Sequence, residues 1–276
     1  MPELPEVETI KRELKSFLIN KSFIGVKLEN KKIIGYPNPR DFLKNIINKK
    51  ILDIDRKGKF LIFKLSNNYN LTFHLRLSGR LIYKENPKEE VKYTRIMFLL
   101  NKGSLVFSEP RLLGRVYLYH DNKLPESLSL LKNLGKEPIM SEFNFQYLKE
   151  KIKNRNSSIK SLLLDQKIAS GVGNIYSDEA LFCAQIHPKR KGSSLKDEEI
   201  KKLVRCLKKV IKRAIKEKGT SISDYLRPNG KEGSFQNYLK IFKREGENCF
   251  RCNEKIMRIK INNRSSYFCP GCQKEV

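Results

Sequence analysis

The chain lacks any apolar run near the ~18–20 residues of a membrane-spanning helix, and Pro2-Glu3 at its start is not the basic, then apolar, opening of a secretory signal. A cytoplasmic protein with no membrane association is expected. No internal repeat recurs, so solenoid arrays are excluded. Acidic residues are scarce: 30 Asp and Glu stand against 57 Lys and Arg, a formal charge of +27 over 276 residues. The excess is spread over every segment and forms no basic block or amphipathic anchor. That distribution argues against a membrane surface and for a phosphate backbone as partner. With 39% apolar residues the chain can bury a core, which excludes disorder, and its length suits two domains.

Between Lys21 and His120 the sequence reads as short strands: 24–28, 51–54, 60–65, 71–75, 96–100, 105–107 and 116–119. They are rich in β-branched and aromatic residues, and Gly, Asn, Pro or Lys separates them at the spacing of an antiparallel sandwich or barrel. One helix precedes them, with Pro5 at its entry and Val7, Ile10, Leu14, Phe17 and Leu18 on one face. Periodicity fades over 121–141, which reads as a linker. Helices dominate beyond it, the clearest running over 194–218 with Gly219 as a stop. The expected organisation is α+β and multidomain: an N-terminal domain over 1–120, a linker over 121–141, a helical domain over 142–235 and a cysteine-rich tail over 236–276.

In that tail Cys249, Cys252, Cys269 and Cys272 follow C-x2-C-x16-C-x2-C, the spacing of a tetrahedral Zn site. Each close pair presents two thiolates from a tight turn, and the residues between them can form a hairpin. One Zn2+ per chain is expected, structural because no coordination position stays open; it supplies the folding energy that so small a module lacks. Cys183 and Cys206 lie on helical patterns and read as buried small hydrophobes.

The start, Met-Pro-Glu-Leu-Pro-Glu-Val-Glu, admits two readings. One is a helix entry with prolines and first-turn acids. The other begins with removal of Met1, which leaves Pro2 a secondary amine. Attack by such an amine on a sugar carbon yields an iminium that is cationic without protonation, an electron sink, and Glu3 beside it is a general acid or base.

The N-terminal Met-Pro-Glu-Leu-Pro-Glu-Val-Glu-Thr, Gly171-Val-Gly-Asn-Ile-Tyr and the four-cysteine tail with Arg264-Ser-Ser-Tyr-Phe-Cys together resemble the bacterial formamidopyrimidine-DNA glycosylase family. The resemblance implies an N-terminal β-sandwich flanked by helices, a helix-two-turn-helix domain and a zinc finger. It implies a base-excision-repair enzyme on damaged double-stranded DNA, acting as a monomer without an obligate protein partner. Such an enzyme excises 8-oxoguanine and formamidopyrimidines and cuts the strand by β,δ-elimination. By that resemblance Pro2 is the Schiff-base nucleophile, Glu3 the acid, Lys59 the lysine that serves β-elimination, and Arg264 the finger arginine of δ-elimination. Lys57, two residues before Lys59, is the competing assignment. Asn174 and Lys160 are expected on backbone phosphate near the lesion, and Tyr93, Arg111 and Arg155 stand where the family contacts DNA.

Where the family typically fills the gap left by an extruded base with Met, Arg and Phe, this chain has Leu77, Arg111 and Leu113. A leucine can unstack a step but cannot stack on it as an aromatic does. Tyr93 replaces a usual His and Phe242 a usual Tyr, and the segment 219–225 resembles the mobile loop that closes over the base. The sister family, endonuclease VIII, prefers oxidised pyrimidines; Leu4 and Val7-Glu8-Thr9 favour the purine enzyme. A non-catalytic damage marker on the same fold would not need Pro2, Glu3 and Lys59 together.

Overall fold

A computed structural model describes residues 2–222 and 225–275. The chain forms two compact units, residues 1–133 with 217–236, and 134–216 with 237–276.

The first unit opens on α1 (Leu4–Leu18), whose buried face carries Leu4, Val7, Ile10, Leu14 and Leu18 at helical spacing. There follow β1 (Phe23–Leu28), β2 (Ile34–Tyr36), α2 (Pro39–Ile46), β3 (Ile51–Lys57), β4 (Phe60–Leu65), β5 (Tyr69–His74), β6 (Arg80–Lys84), β7 (Thr94–Leu100), β8 (Ser104–Ser108) and β9 (Arg115–His120). One sheet has the order β1-β7-β8-β6 and the other β2-β9-β5-β4-β3. Neighbours run antiparallel except β2 beside β9, a parallel pair. Phe73 of the five-stranded sheet meets Phe98 and Phe107 of the four-stranded one edge-to-face, at 6.0 and 5.6 Å, in the middle of the sandwich core. The seven expected strands are present, and β2, β6 and α2 are added. Ile34–Tyr36 is too short for a pattern, and Arg80–Lys84 has charged ends that mask a buried centre.

The second unit contains α3 (Phe145–Ile152), α4 (Ile159–Leu164), α5 (Asn174–Ala184), α6 (Asp197–Lys216) and a hairpin of β10 (Met257–Ile261) and β11 (Arg264–Phe268). Asn144 and Ser158 cap α3 and α4 by accepting backbone N–H groups of the first turn.

The boundaries expected from composition differ from these units. The span 121–141 is not one linker: a 3-10 stretch, Glu126–Lys132, stays with the sandwich and the division falls after Asn133. Residues 217–236, expected within the helical domain, return to the sandwich. The Glu6 carboxylate accepts the Thr220 N–H at 2.8 Å, Arg227 donates to Glu13 at 2.7 Å, and the Tyr83 N–H donates to the Pro228 carbonyl. Partners more than two hundred residues apart in sequence leave no trace in local composition. The cysteine tail forms one unit with the helices.

Cys183 and Cys206, expected as separate hydrophobes, form a disulfide between α5 and α6 with their Cα atoms 5.7 Å apart. The packing of these two helices, not sequence spacing, brings them together.

Candidate functional site

In the first unit Pro2 and Glu3 are buried immediately before α1, with Glu3 as its N-cap. The Glu3 N–H donates to Glu6 at 2.8 Å, so the one Glu6 carboxylate ties the N-terminus to Thr220. Ser223 and Asp224 of the expected lesion-covering loop lie outside the described residues, as does Met1. On the near side of that segment Ser221 Oγ donates to the Tyr225 carbonyl, and the buried Tyr225 hydroxyl donates to the Lys218 carbonyl.

Lys59 sits in the tight turn between β3 and β4, not on a continuous strand with Lys57. That turn separates the two lysines. Lys59 is buried, while Lys57 is exposed and donates to the Leu131 carbonyl at 2.7 Å. Arg56 links the turn to the helix: its guanidinium pairs with the buried Glu8 at 2.9 Å and donates to the Gly58 carbonyl at 3.0 Å. The N-terminal half of α1, which follows directly on Pro2 and Glu3, is thereby fixed beside the residue preceding Lys59. Burial works against charge on Glu8, but Arg12, Arg56 and Lys11 outweigh it and hold its carboxyl below the usual range.

His74 was not marked by any sequence pattern. Register places it opposite Phe60, next to Lys59, with its ring 4.5 Å from that of Phe60. Burial, and then the cations Arg76 and Lys59, lower its pKa to about 3, so it remains neutral. Its Nδ1 is buried without a hydrogen-bond partner among the described residues. A neutral imidazole beside a buried lysine is a feature of chemistry sites that only strand register could reveal.

Leu77, Tyr93 and Leu113 stand out from the sandwich at 41%, 58% and 43% exposure, large side chains left in solvent on three different loops. Arg111 is exposed beside Leu113. Each of the three segments includes a non-glycine residue at positive φ: Arg76 at 53°, Tyr93 at 59° and Leu112 at 54°.

In the second unit Asn174 is the first residue of α5, after an N-cap at Gly173. Its side-chain amide donates to the Ser265 carbonyl at 2.9 Å, beside Arg264, and its Oδ1 is buried without a partner among the described residues. Arg264 is exposed at the start of β11, and Arg155 is exposed in the loop between α3 and α4. Lys160 departs from the expected phosphate contact. It has no exposed side-chain surface, pairs with Asp178 and donates to the Asn174 carbonyl at 3.3 Å. An ammonium so enclosed holds the start of α5 through the Asn174 carbonyl. Glu179, also unmarked in the sequence, accepts the backbone N–H groups of Lys240, Ile241 and Phe242, which orients the approach to the hairpin. Phe242 is buried, its ring 5.3 Å from that of Tyr267.

The Sγ atoms of Cys249, Cys252, Cys269 and Cys272 lie within 4.8 Å of one another, with separations of 3.8 Å for 249–272, 3.5 Å for 252–272 and 3.3 Å for 252–269. A tetrahedron with ~2.3 Å arms has edges of ~3.8 Å, so the quartet fits a zinc finger. Arg251 donates to the Phe182 carbonyl at 2.7 Å, and Gln273 bridges the Cys269 N–H and the Ile186 carbonyl. These bonds fasten the finger to the end of α5.

The described residues thus comprise a β-sandwich unit with a buried Pro-Glu start, and a helical unit that carries a four-cysteine cluster. Residues 1–116 match the formamidopyrimidine-DNA glycosylase N-terminal domain and residues 134–225 its H2TH domain. The formamidopyrimidine-DNA glycosylase of Pelotomaculum thermopropionicum is 40% identical over 275 residues, 99% of each chain, and that of Rickettsia bellii 38% identical over 276, 99% of this chain and 100% of the relative. The Lactococcus lactis enzyme in complex with abasic-site DNA superposes with a TM-score of 0.92 at 31% identity, over 99% of this chain and all of that one. The chain belongs to the formamidopyrimidine-DNA glycosylase family, enzymes of DNA repair.

Proposed function

We propose that the chain removes oxidised purines, 8-oxoguanine and formamidopyrimidines, from duplex DNA and then cuts the strand as an abasic-site lyase. With Met1 removed, the Pro2 nitrogen attacks C1′ of the damaged nucleotide and the bond to the base breaks. Glu3 handles the proton as the sugar ring opens to the iminium. Loss of a C2′ proton expels the 3′ oxygen, the β-elimination served by Lys59. Loss of a C4′ proton expels the 5′ oxygen, the δ-elimination assigned to Arg264. His74, held neutral beside Lys59, is able to accept a proton or a hydrogen bond there.

The observation that carries this reading is the Glu8–Arg56–Gly58 link, which keeps the buried Pro2-Glu3 start of α1 in register with the buried Lys59 turn. A binding-only protein does not need Pro2, Glu3 and Lys59 held on one framework. Arg111, Arg155, Arg264, Tyr93 and Asn174 would contact DNA, with Leu77 and Leu113 filling the vacated stack. The four cysteines would hold one structural Zn2+, which supplies charge neutralisation and rigidity to the finger and no bond-breaking chemistry. The protein is proposed to work as a monomer in the cytoplasm.

Borohydride reduction tests the covalent step. It should freeze a protein–DNA adduct on duplex containing 8-oxoguanine, Pro2→Gly should trap poorly, and Glu3→Gln should slow excision more than cutting at a pre-formed abasic site. Tight binding to both substrates by Met1-free protein, with no adduct on either, would leave only the damage-marker reading.

A further inference from the structure

Glu109 is fully buried at the end of β8 and has no part in the chemistry above. Its carboxylate accepts the Ser78 hydroxyl and, at 3.0 Å, the Arg111 N–H on one oxygen; the other accepts the Gly114 N–H at 2.9 Å. Its backbone N–H donates to the Tyr93 carbonyl at 3.0 Å, and its carbonyl accepts Arg95 Nε at 2.7 Å. One residue therefore holds three separate loops. Each presents side chains proposed to enter or grip the duplex: Leu77 precedes Ser78, Arg111 and Leu113 lie between Glu109 and Gly114, and Tyr93 is the third.

The loops have little freedom elsewhere. A Cβ on Gly79 would come within 2.8 Å of the Phe107 ring and one on Gly114 within 2.7 Å, so both loops close against the same aromatic. Arg76, Tyr93 and Leu112 hold left-handed backbone, a conformation that persists in non-glycine residues only where surroundings over-determine it.

We propose that Glu109 is the positioning residue of the wedge, locking Leu77, Arg111, Leu113 and Tyr93 into one preorganised unit that extrudes the damaged nucleotide. A leucine cannot anchor itself by stacking, so its hold on an opened base step depends on a fixed position, and order established before binding lowers the entropy cost in the complex. The inference rests on the glycosylase reading.

The test places 2-aminopurine next to 8-oxoguanine, so that its fluorescence rise reports unstacking independently of chemistry. Glu109→Gln keeps the shape but turns one acceptor into a donor facing another donor. It should slow the fluorescence rise and single-turnover excision about tenfold each, while cutting of a pre-formed abasic site falls less than about twofold. In a Leu77→Ala/Leu113→Ala background the same substitution should add less than about twofold to either loss, since the parts it positions are gone. Ser78→Ala, which frees only the Leu77 loop, should give a smaller drop in the same two readouts, and it decides the matter if Glu109→Gln melts far below wild type. An unchanged fluorescence rise, or equal losses on both substrates, overturns the proposal. Wild-type protein that unstacks the duplex without excising would instead remove the glycosylase reading and leave the Glu109 comparison intact.

Discussion

Lys160 and Asp178 form an ion pair in which neither side chain has any exposed surface. The pair joins α4 to α5, and Asp178 also accepts the Tyr267 N–H of β11 at 3.3 Å, so three elements meet on two charges. Burial raises the Asp178 carboxyl more than Lys160 lowers it, which leaves it at about 7. Removing one partner leaves the other charge stranded. Lys160→Ala should therefore cost about 3–5 kcal/mol in urea unfolding, while Lys160→Met with Asp178→Leu should cost less than either single change. A Lys160→Ala protein of unchanged stability but weaker DNA binding would return Lys160 to the phosphate role.

The Glu8 carboxyl is lowered from its usual 4.5, so its contribution to stability is fully present above 4.5 and is lost as pH falls through the lowered folded value. Thermal melts taken from about pH 6 to pH 3 should show the first unit weakening over the acid end of that range. Glu8→Gln should melt earlier at pH 6 and show a flatter acid limb. A variant whose acid limb matches wild type would mean other carboxyls govern it.

The Cys183–Cys206 disulfide closes a loop of sequence separation 23 and should stabilise the helical unit by about 3 kcal/mol. Thiol titration in denaturant, after metal removal, should find four reactive cysteines without reductant and six with it. The same melting curve with and without reductant would show that the bridge contributes nothing.

The cysteine quartet should retain one equivalent of zinc through purification. Cys249→Ser should lose it, loosen the hairpin that carries Arg264 and weaken DNA binding. Affinity should also fall steeply with salt, log K against log[salt] being linear as lysines and arginines release phosphate counterions. Metal-free protein with full affinity, or affinity indifferent to salt, would contradict the finger and phosphate-backbone readings respectively.

The strands of the sandwich, the α1 face and the zinc spacing were legible because each rests on a short-range regularity: alternation over five residues, a 3.6-residue period, or two thiols three positions apart. Resemblance then attached roles to Pro2, Glu3, Lys59 and Arg264. His74, Glu6, Glu109 and Glu179 were not legible, since a histidine or glutamate in isolation is indistinguishable from any solvated polar residue. Their meaning comes from partners supplied by other strands and loops, such as the Ser78 hydroxyl or the Thr220 N–H.

The sequence by itself determined the charge, the four-cysteine spacing, the secondary structure of the longer segments and the kinship. Only the tertiary structure decided that 217–236 belongs with the sandwich, that Cys183 bonds Cys206, that Lys160 is enclosed while Lys59 lies apart from Lys57, and that three loops converge on one carboxylate. Periodicity is written along the chain. Burial and pairing between distant residues arise from packing, which forces buried charges and N–H groups to find partners wherever the fold brings them.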